Sequence, residues 1–178
     1  MKGIMKTVAL AMLCAASFST LAAADNTPKE AYDDITHSLA DLQPITFQAH
    51  AEKYKLIVFI DNQCGYCSDV VKNVKHYTDA GLTLSFLTVA PPAIHDAVIE
   101  DMGRVWCSGD KAKSLQNAMK GYLPNNETTP ACSDLVTRQS ALADRLGINV
   151  TPFMVVVEPA SRSIVGSQSP AAILAALK

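Results

Sequence analysis

Two thiols lie three residues apart in Cys64-Gly65-Tyr66-Cys67. At that spacing they can close a disulfide with each other and open it again. The residues that follow make the pair asymmetric. In a helix beginning at about Cys64, the side chains of Cys67, Val71 and Val74 fall on one face, at spacings of four and three. Cys67 therefore turns toward apolar surroundings. Cys64 comes one turn earlier, at the helix mouth, where unpaired backbone N–H groups and the helix dipole favour an anion such as a thiolate. The expected roles follow: Cys64 is the exposed nucleophile, and Cys67 is the resolving thiol that attacks the mixed disulfide formed with a substrate. Gly65 leaves the backbone beside Cys64 accessible to another chain, and Tyr66 carries a ring that can cover the site or meet a substrate.

Two other chemistries compete for the same residues. Cys-x-x-Cys is half of many zinc sites, but no second tight pair is present, and none of His37, His50, His76 and His95 stands at ligand spacing to the motif. No metal and no cofactor is expected. A permanent structural bond is the other alternative, and the helix mouth with glycine beside it is a poor place for a buried staple.

Elements must hold these thiols. Leu56-Ile57-Val58-Phe59-Ile60 is a continuous apolar run, as in a strand covered on both faces. A helix from about Cys64 to Thr78 follows, with Gly81 placed as its C-terminal cap, and Thr83 to Val89 forms a second strand. Such a strand-helix-strand unit implies a parallel pair with a right-handed crossover. Ile94, Val98, Met102 and Val105 then mark one helix, Ala112, Leu115 and Met119 a second, and Leu135, Leu142 and Leu146 a third that opens at Cys132 and ends at Gly147. Phe153 to Val157 and Arg162 to Val165 read as a hairpin, and Ser169-Pro170 starts a last helix. The order predicts an α/β sandwich with a small mixed sheet flanked by helices.

Upstream, Lys2 and Lys6 precede an apolar run from Val8 to Leu21, and Ala22-Ala23-Ala24 supplies small residues for cleavage before Asp25. Residues 1–24 are thus expected to be a signal peptide that takes Cys14 with it, leaving no membrane anchor. Residues 25–54 read as an N-terminal arm and linker helix, with Tyr32, Ile35 and Leu39 at helical spacing, Pro44 at its end and Ile45-Thr46-Phe47 as a short strand or extended connector. The remaining cysteines are Cys64, Cys67, Cys107 and Cys132. An even number in an exported chain argues for an oxidising compartment, and a bacterial periplasm fits. Net charge is only −2, with no basic stripe, so nucleic-acid binding has no electrostatic support. Cys107 and Cys132 end one helix and open another, and are read as a structural disulfide that contributes on the order of 3 kcal/mol. Thr151-Pro152 precedes the third strand; a cis bond there would turn the loop toward the dithiol and leave backbone groups free to pair with a substrate chain, while a trans proline at a strand start is the ordinary alternative.

Three segments carry a family resemblance: residues 59–67, ending in Cys64-Gly65-Tyr66-Cys67; Arg104-Val105-Trp106-Cys107; and residues 146–152, ending in Thr151-Pro152. Together they resemble the catalytic domain of the bacterial periplasmic disulfide isomerases of the DsbC/DsbG type, from about Leu39 to the C-terminus. The resemblance implies a thioredoxin fold over residues 55–178 with a helical insertion at about 92–147. It also implies Cys64 as nucleophile, Cys67 as resolving thiol, a Cys107–Cys132 structural disulfide, Pro152 in cis and Thr151 beside the active thiols. Members of that family carry an N-terminal dimerisation domain before the linker helix, whereas Asp25 to about Leu39 alone precede the matching region here. The expectation is a periplasmic thiol:disulfide oxidoreductase that reduces or isomerises disulfides in exported proteins, with a membrane thiol reductase as electron donor and with monomer and dimer both open. A redox-inert binding module, marked by a potential far below about −300 mV, and an envelope metal carrier, marked by metal on the reduced protein, are the alternatives.

Overall fold

The computed structural model describes residues 33, 35–158 and 162–178; the expected signal peptide and Tyr32 lie outside them. Residues 35–38 are helical, within the expected linker helix; strand β1 (Ile45–Phe47) follows, then β2 (Tyr54–Ile60), helices α1 (Gly65–Lys72) and α2 (Val74–Asp79), and β3 (Leu82–Thr88). A 3-10 turn at Pro92–Ile94 leads into α3 (His95–Cys107), α4 (Lys111–Ala118) and α5 (Pro130–Arg145). Strands β4 (Phe153–Glu158) and β5 (Arg162–Val165) and helix α6 (Pro170–Ala176) complete the order. The sheet runs β1-β3-β2-β4-β5. β2 and β3 are parallel, and the other three neighbouring pairs are antiparallel, so this is a five-stranded mixed sheet.

The apolar run in β2 is continuous because β2 sits at the centre of the sheet with both faces covered. Leu56, Val58 and Ile60 join Val70, Val71, Val74 and Tyr77 in one core cluster, to which α3 and α4 add Val98, Met102, Val105, Trp106 and Leu115. Ile57 and Phe59 point the other way, against Leu142 and Ala143 of α5 and Ile35 and Leu42 of the leading segment. Ile45-Thr46-Phe47 is a strand, with Phe47 packed edge-on against Phe86 at 5.7 Å.

Strand β2 begins two residues before its apolar run, at Tyr54, and β3 is shifted by one residue from the expected span, to Leu82–Thr88. Two helical boundaries also differ from the periodicity. The helix expected from Cys64 to Thr78 is two helices, because Asn73 leaves helical geometry (φ −99°, ψ 13°). Its side-chain amide donates to the Asp69 carbonyl at 2.8 Å, a local bond that competes with the helix ladder. The third helix of the block opens at Pro130 rather than Cys132, since the Thr129 hydroxyl caps it by accepting the Cys132 N–H at 3.3 Å. Gly81 takes φ +95°, and a Cβ there would meet the Ala51 carbonyl at 2.8 Å, so glycine is required on both counts.

Helix α5 is tied to the sheet by two buried polar side chains. Gln139, fully buried, accepts the Thr88 N–H at 2.9 Å and donates to the Leu42 carbonyl at 2.8 Å. Ser140 accepts the Ala90 N–H at 3.0 Å. The bonds to Thr88 and Ala90 satisfy backbone N–H groups at the end of β3, and the bond to Leu42 satisfies a carbonyl of the leading segment. No helix among the described residues is long and apolar enough to cross a membrane.

Candidate active site

The parallel register of β2 with β3 brings their C-terminal ends together, and the antiparallel register of β4 lays its first residue, Phe153, beside Phe59. Thr151 and Pro152 precede Phe153 and Cys64 follows Ile60, so the topology carries both segments to one end of the sheet. There the Cys64 thiol donates to the Thr151 carbonyl at 3.4 Å, across 87 residues of chain. The Thr151–Pro152 peptide is cis, Pro152 is buried, and its carbonyl accepts the Gly166 N–H at 2.9 Å.

Cys64 is the N-cap of α1, with extended backbone (φ −84°, ψ 115°), and its sulfur accepts the Cys67 N–H at 3.3 Å. That bond is the capping interaction an Ncap oxygen ordinarily makes, here made by sulfur. Cys64 is half-buried, whereas Cys67 is fully buried in the core cluster with Val70, Val71 and Val74. Both are free thiols. Burial pushes the Cys67 thiol well above the ordinary thiol range and the neighbouring Cys64 raises it further; the Asp61 backbone and the Thr151 hydroxyl act in the opposite sense but do not offset the burial. Gly65 has open space where a Cβ would stand, and Tyr66 is 67% exposed. Tyr66 therefore faces solvent.

Cys107 and Cys132 are joined by a disulfide, Cα to Cα 5.8 Å, between the end of α3 and the first turn of α5. The loop between α4 and α5 is held from α3 as well, Arg104 donating to the Asn126 and Pro124 carbonyls at 3.0 and 2.7 Å. Trp106, also on α3, instead ties the segment before β1, donating to the Gln43 carbonyl at 2.9 Å.

One residue of the site is missing from the motif reading. Asp61, at the end of β2, is buried at 3% exposure. Its Oδ1 accepts the Gln63 N–H at 2.9 Å and its Oδ2 the Thr151 hydroxyl at 2.7 Å. The signal in the sequence is a carboxylate placed directly after five apolar strand residues, where water is scarce. Among the described residues, Asp61, Cys64 and Cys67 form the group whose metal-capable atoms lie within 4.8 Å of one another. Three donors fall short of a closed four-ligand zinc site, and both Asp61 oxygens are already engaged.

Free thiols of unequal burial at a strand-to-helix junction, facing a cis-proline loop on a central mixed sheet, define a thioredoxin-like protein. Residues 40–178 match the family model described as a thioredoxin-like domain, and the chain belongs to that family. It is similar to the thiol:disulfide interchange protein DsbC of Salmonella typhimurium, 32% identical over 113 residues, which cover 63% of this chain and 46% of the relative. The DsbC of Haemophilus influenzae is 30% identical over 134 residues, covering 75% and 56%. The chain thus spans about half the length of these relatives. Among solved structures, Proteus mirabilis ScsC superposes with a TM-score of 0.63 at 17% identity, over 84% of this chain and 78% of that one. The disulfide interchange protein of Neisseria gonorrhoeae superposes with 0.59 at 24% identity, over 71% and 87%.

Proposed function

We propose that this chain is a thiol:disulfide oxidoreductase that reduces or isomerises disulfides of exported proteins through its Cys-Gly-Tyr-Cys dithiol. The observation that carries the reading is the unequal burial of two free thiols: Cys64 half-open at the cap of α1, Cys67 sealed beneath it. The Cys64 thiolate attacks one sulfur of a substrate disulfide, the other sulfur leaves as a thiolate, and a mixed disulfide remains on Cys64. Either Cys67 then displaces the substrate, which leaves reduced, or a second substrate thiol does so, which leaves the substrate rearranged and the dithiol restored. The Val150-Thr151 backbone beside Cys64 is the segment along which an extended substrate would pair, and Tyr66 and Val150 offer exposed apolar surface to it. Similarity to the DsbC relatives supports this class of activity. The Cys107–Cys132 bond suits an oxidising compartment such as the periplasm, where a membrane thiol reductase would return Cys64 and Cys67 to the dithiol after each reduction.

Trapping tests the reading. Cys67→Ser should accumulate mixed disulfides between Cys64 and envelope proteins, visible as adducts on non-reducing gels and identified by mass spectrometry, and Cys64→Ser should give none. If Cys67→Ser traps nothing, the assigned roles are wrong.

A further inference from the structure

Large apolar side chains left in water are ordinary when scattered and mark a binding surface when gathered. Among the described residues four are strongly exposed: Tyr66, Tyr122, Val150 and Val165. All four stand round the dithiol. Tyr66 belongs to the motif, and Val150 precedes Thr151, whose carbonyl accepts the Cys64 thiol at 3.4 Å. Val165 is the β5 partner of Phe153, and the next N–H, that of Gly166, donates to the Pro152 carbonyl at 2.9 Å. Tyr122 comes from the helical insertion.

The end of α4 fixes the place of Tyr122. Met119 caps that helix and is buried, its sulfur 4.0 Å from the Ser68 hydroxyl of α1. Ser68 in turn lies one turn from the motif, its N–H donating to the Cys64 carbonyl at 3.1 Å. The chain then turns at Gly121 (φ +87°). The Gly121 N–H donates to the Ala118 carbonyl at 2.9 Å and the Tyr122 N–H to the Asn117 carbonyl at 3.0 Å. This is a Schellman closure, in which the residue after the glycine commonly packs an apolar side chain back on the helix. Here the receiving positions are Gln116 and Asn117, both polar, and the Tyr122 ring stays 71% exposed. The backbone bonds thus hold Tyr122 beside the first turns of α1 while its ring remains in water.

We propose that Tyr122 determines specificity at the exchange site, selecting extended polypeptides that carry bulky apolar side chains close to the cysteine they present. This rests on the dithiol reading above and deepens it. Cys64 lies between two apolar pairs, Tyr66 and Tyr122 on the side of α1 and α4, Val150 and Val165 on the side of the cis-proline loop. In an extended chain, side chains two positions apart share a face and stand about 7 Å from each other. When such a chain turns a disulfide sulfur toward Cys64, the residues two before and two after it face the same surface and meet the two pairs. Gly65, with open space where a Cβ would stand, lets the chain come close between them. A substrate ring packed on Tyr122 leaves water and holds the chain in place while Cys64 attacks. Oxidised glutathione has no apolar side chain and draws nothing from these contacts.

The test compares three disulfides as oxidants of the reduced full chain. They are the disulfide dimer of the peptide Gly-Phe-Gly-Cys-Gly-Phe-Gly with blocked termini, the same dimer with serine for phenylalanine, and oxidised glutathione. Each takes two electrons from the dithiol: one thiolate leaves when the mixed disulfide forms on Cys64, and the second leaves when Cys67 displaces it and the Cys64–Cys67 bond closes. Acid quenching and mass spectrometry give the second-order rate constants. The phenylalanine dimer should oxidise the wild type about tenfold faster than the serine dimer. Tyr122→Ser should lower the ratio of the phenylalanine rate to the glutathione rate about fivefold, and Tyr122→Phe, which keeps the ring, should hold that ratio. A ratio in Tyr122→Ser within about twofold of wild type overturns the assignment, as does equal oxidation of the wild type by both peptides. A wild-type dimer in sedimentation that Tyr122→Ser disperses would give the ring to a second copy of the chain and overturn it too. Oxidation by none of the three disulfides sinks the dithiol reading itself, whereas ready oxidation by glutathione with no preference between the peptides sinks this proposal alone.

Discussion

Gln139→Leu removes a side chain that serves two backbone groups at once. In the native protein its amide accepts the Thr88 N–H at 2.9 Å and donates to the Leu42 carbonyl at 2.8 Å, and the residue is fully buried. Leucine fills similar volume but can do neither. Water cannot reach the orphaned pair, and each such group costs about 1–3 kcal/mol. The added apolar burial of leucine returns part of this, so a net loss of about 3 kcal/mol is expected. For a chain of this size that corresponds to a fall of about 6–12 °C in the melting midpoint. The consequence should extend to the active site, because α5 leads through Ile148 to the Thr151–Pro152 loop. Urea unfolding with the Cys107–Cys132 bond intact reads the loss as a lower midpoint at unchanged slope. A loss below about 1 kcal/mol would refute the reasoning, since it would mean that neither backbone group depends on Gln139.

Two further outcomes can be checked in the same way. A Cβ on Gly103 would stand well inside contact distance of Thr128 Oγ1, itself bonded to Ser133 at 3.1 Å. Gly103→Ala should therefore cost about 1–2 kcal/mol despite the better helix former, overpacking outweighing the gain; adding Thr128→Ala should recover most of it, and thermal melts of the two variants decide. The raised Cys67 thiol predicts a pH dependence. The folded state keeps it protonated while the unfolded chain ionises near the ordinary value of 9.0, so its contribution is fully present below that value and is lost as pH climbs above it. Unfolding midpoints of the dithiol protein between about pH 8 and about pH 10.5 should fall more steeply than those of Cys67→Ala; parallel slopes would show that Cys67 ionises freely in the fold.

The helix mouth, the core-facing register of Cys67 and the strand before the motif were legible locally, because helical periodicity and a two-sided apolar strand are properties of neighbouring residues. Cys67, Val71 and Val74 do share the buried face, and β2 is covered on both sides. The break at Asn73 was not legible, because a helix former and a helix breaker differ there by one side-chain bond to Asp69.

Sequence by itself determined the chemistry on offer: two thiols in unequal positions on one helix turn, an apolar strand to hold them, and a proline loop far along the chain. Tertiary structure alone decided what those groups meet. Only the antiparallel entry of β4 beside β2 puts the Thr151 carbonyl on Cys64 and the Thr151 hydroxyl on Asp61. Only the closing of α5 over β3 buries Gln139 and Ser140 against strand-end amides. These contacts join residues some fifty to ninety positions apart, and their partners are fixed by sheet order and register rather than by any local preference.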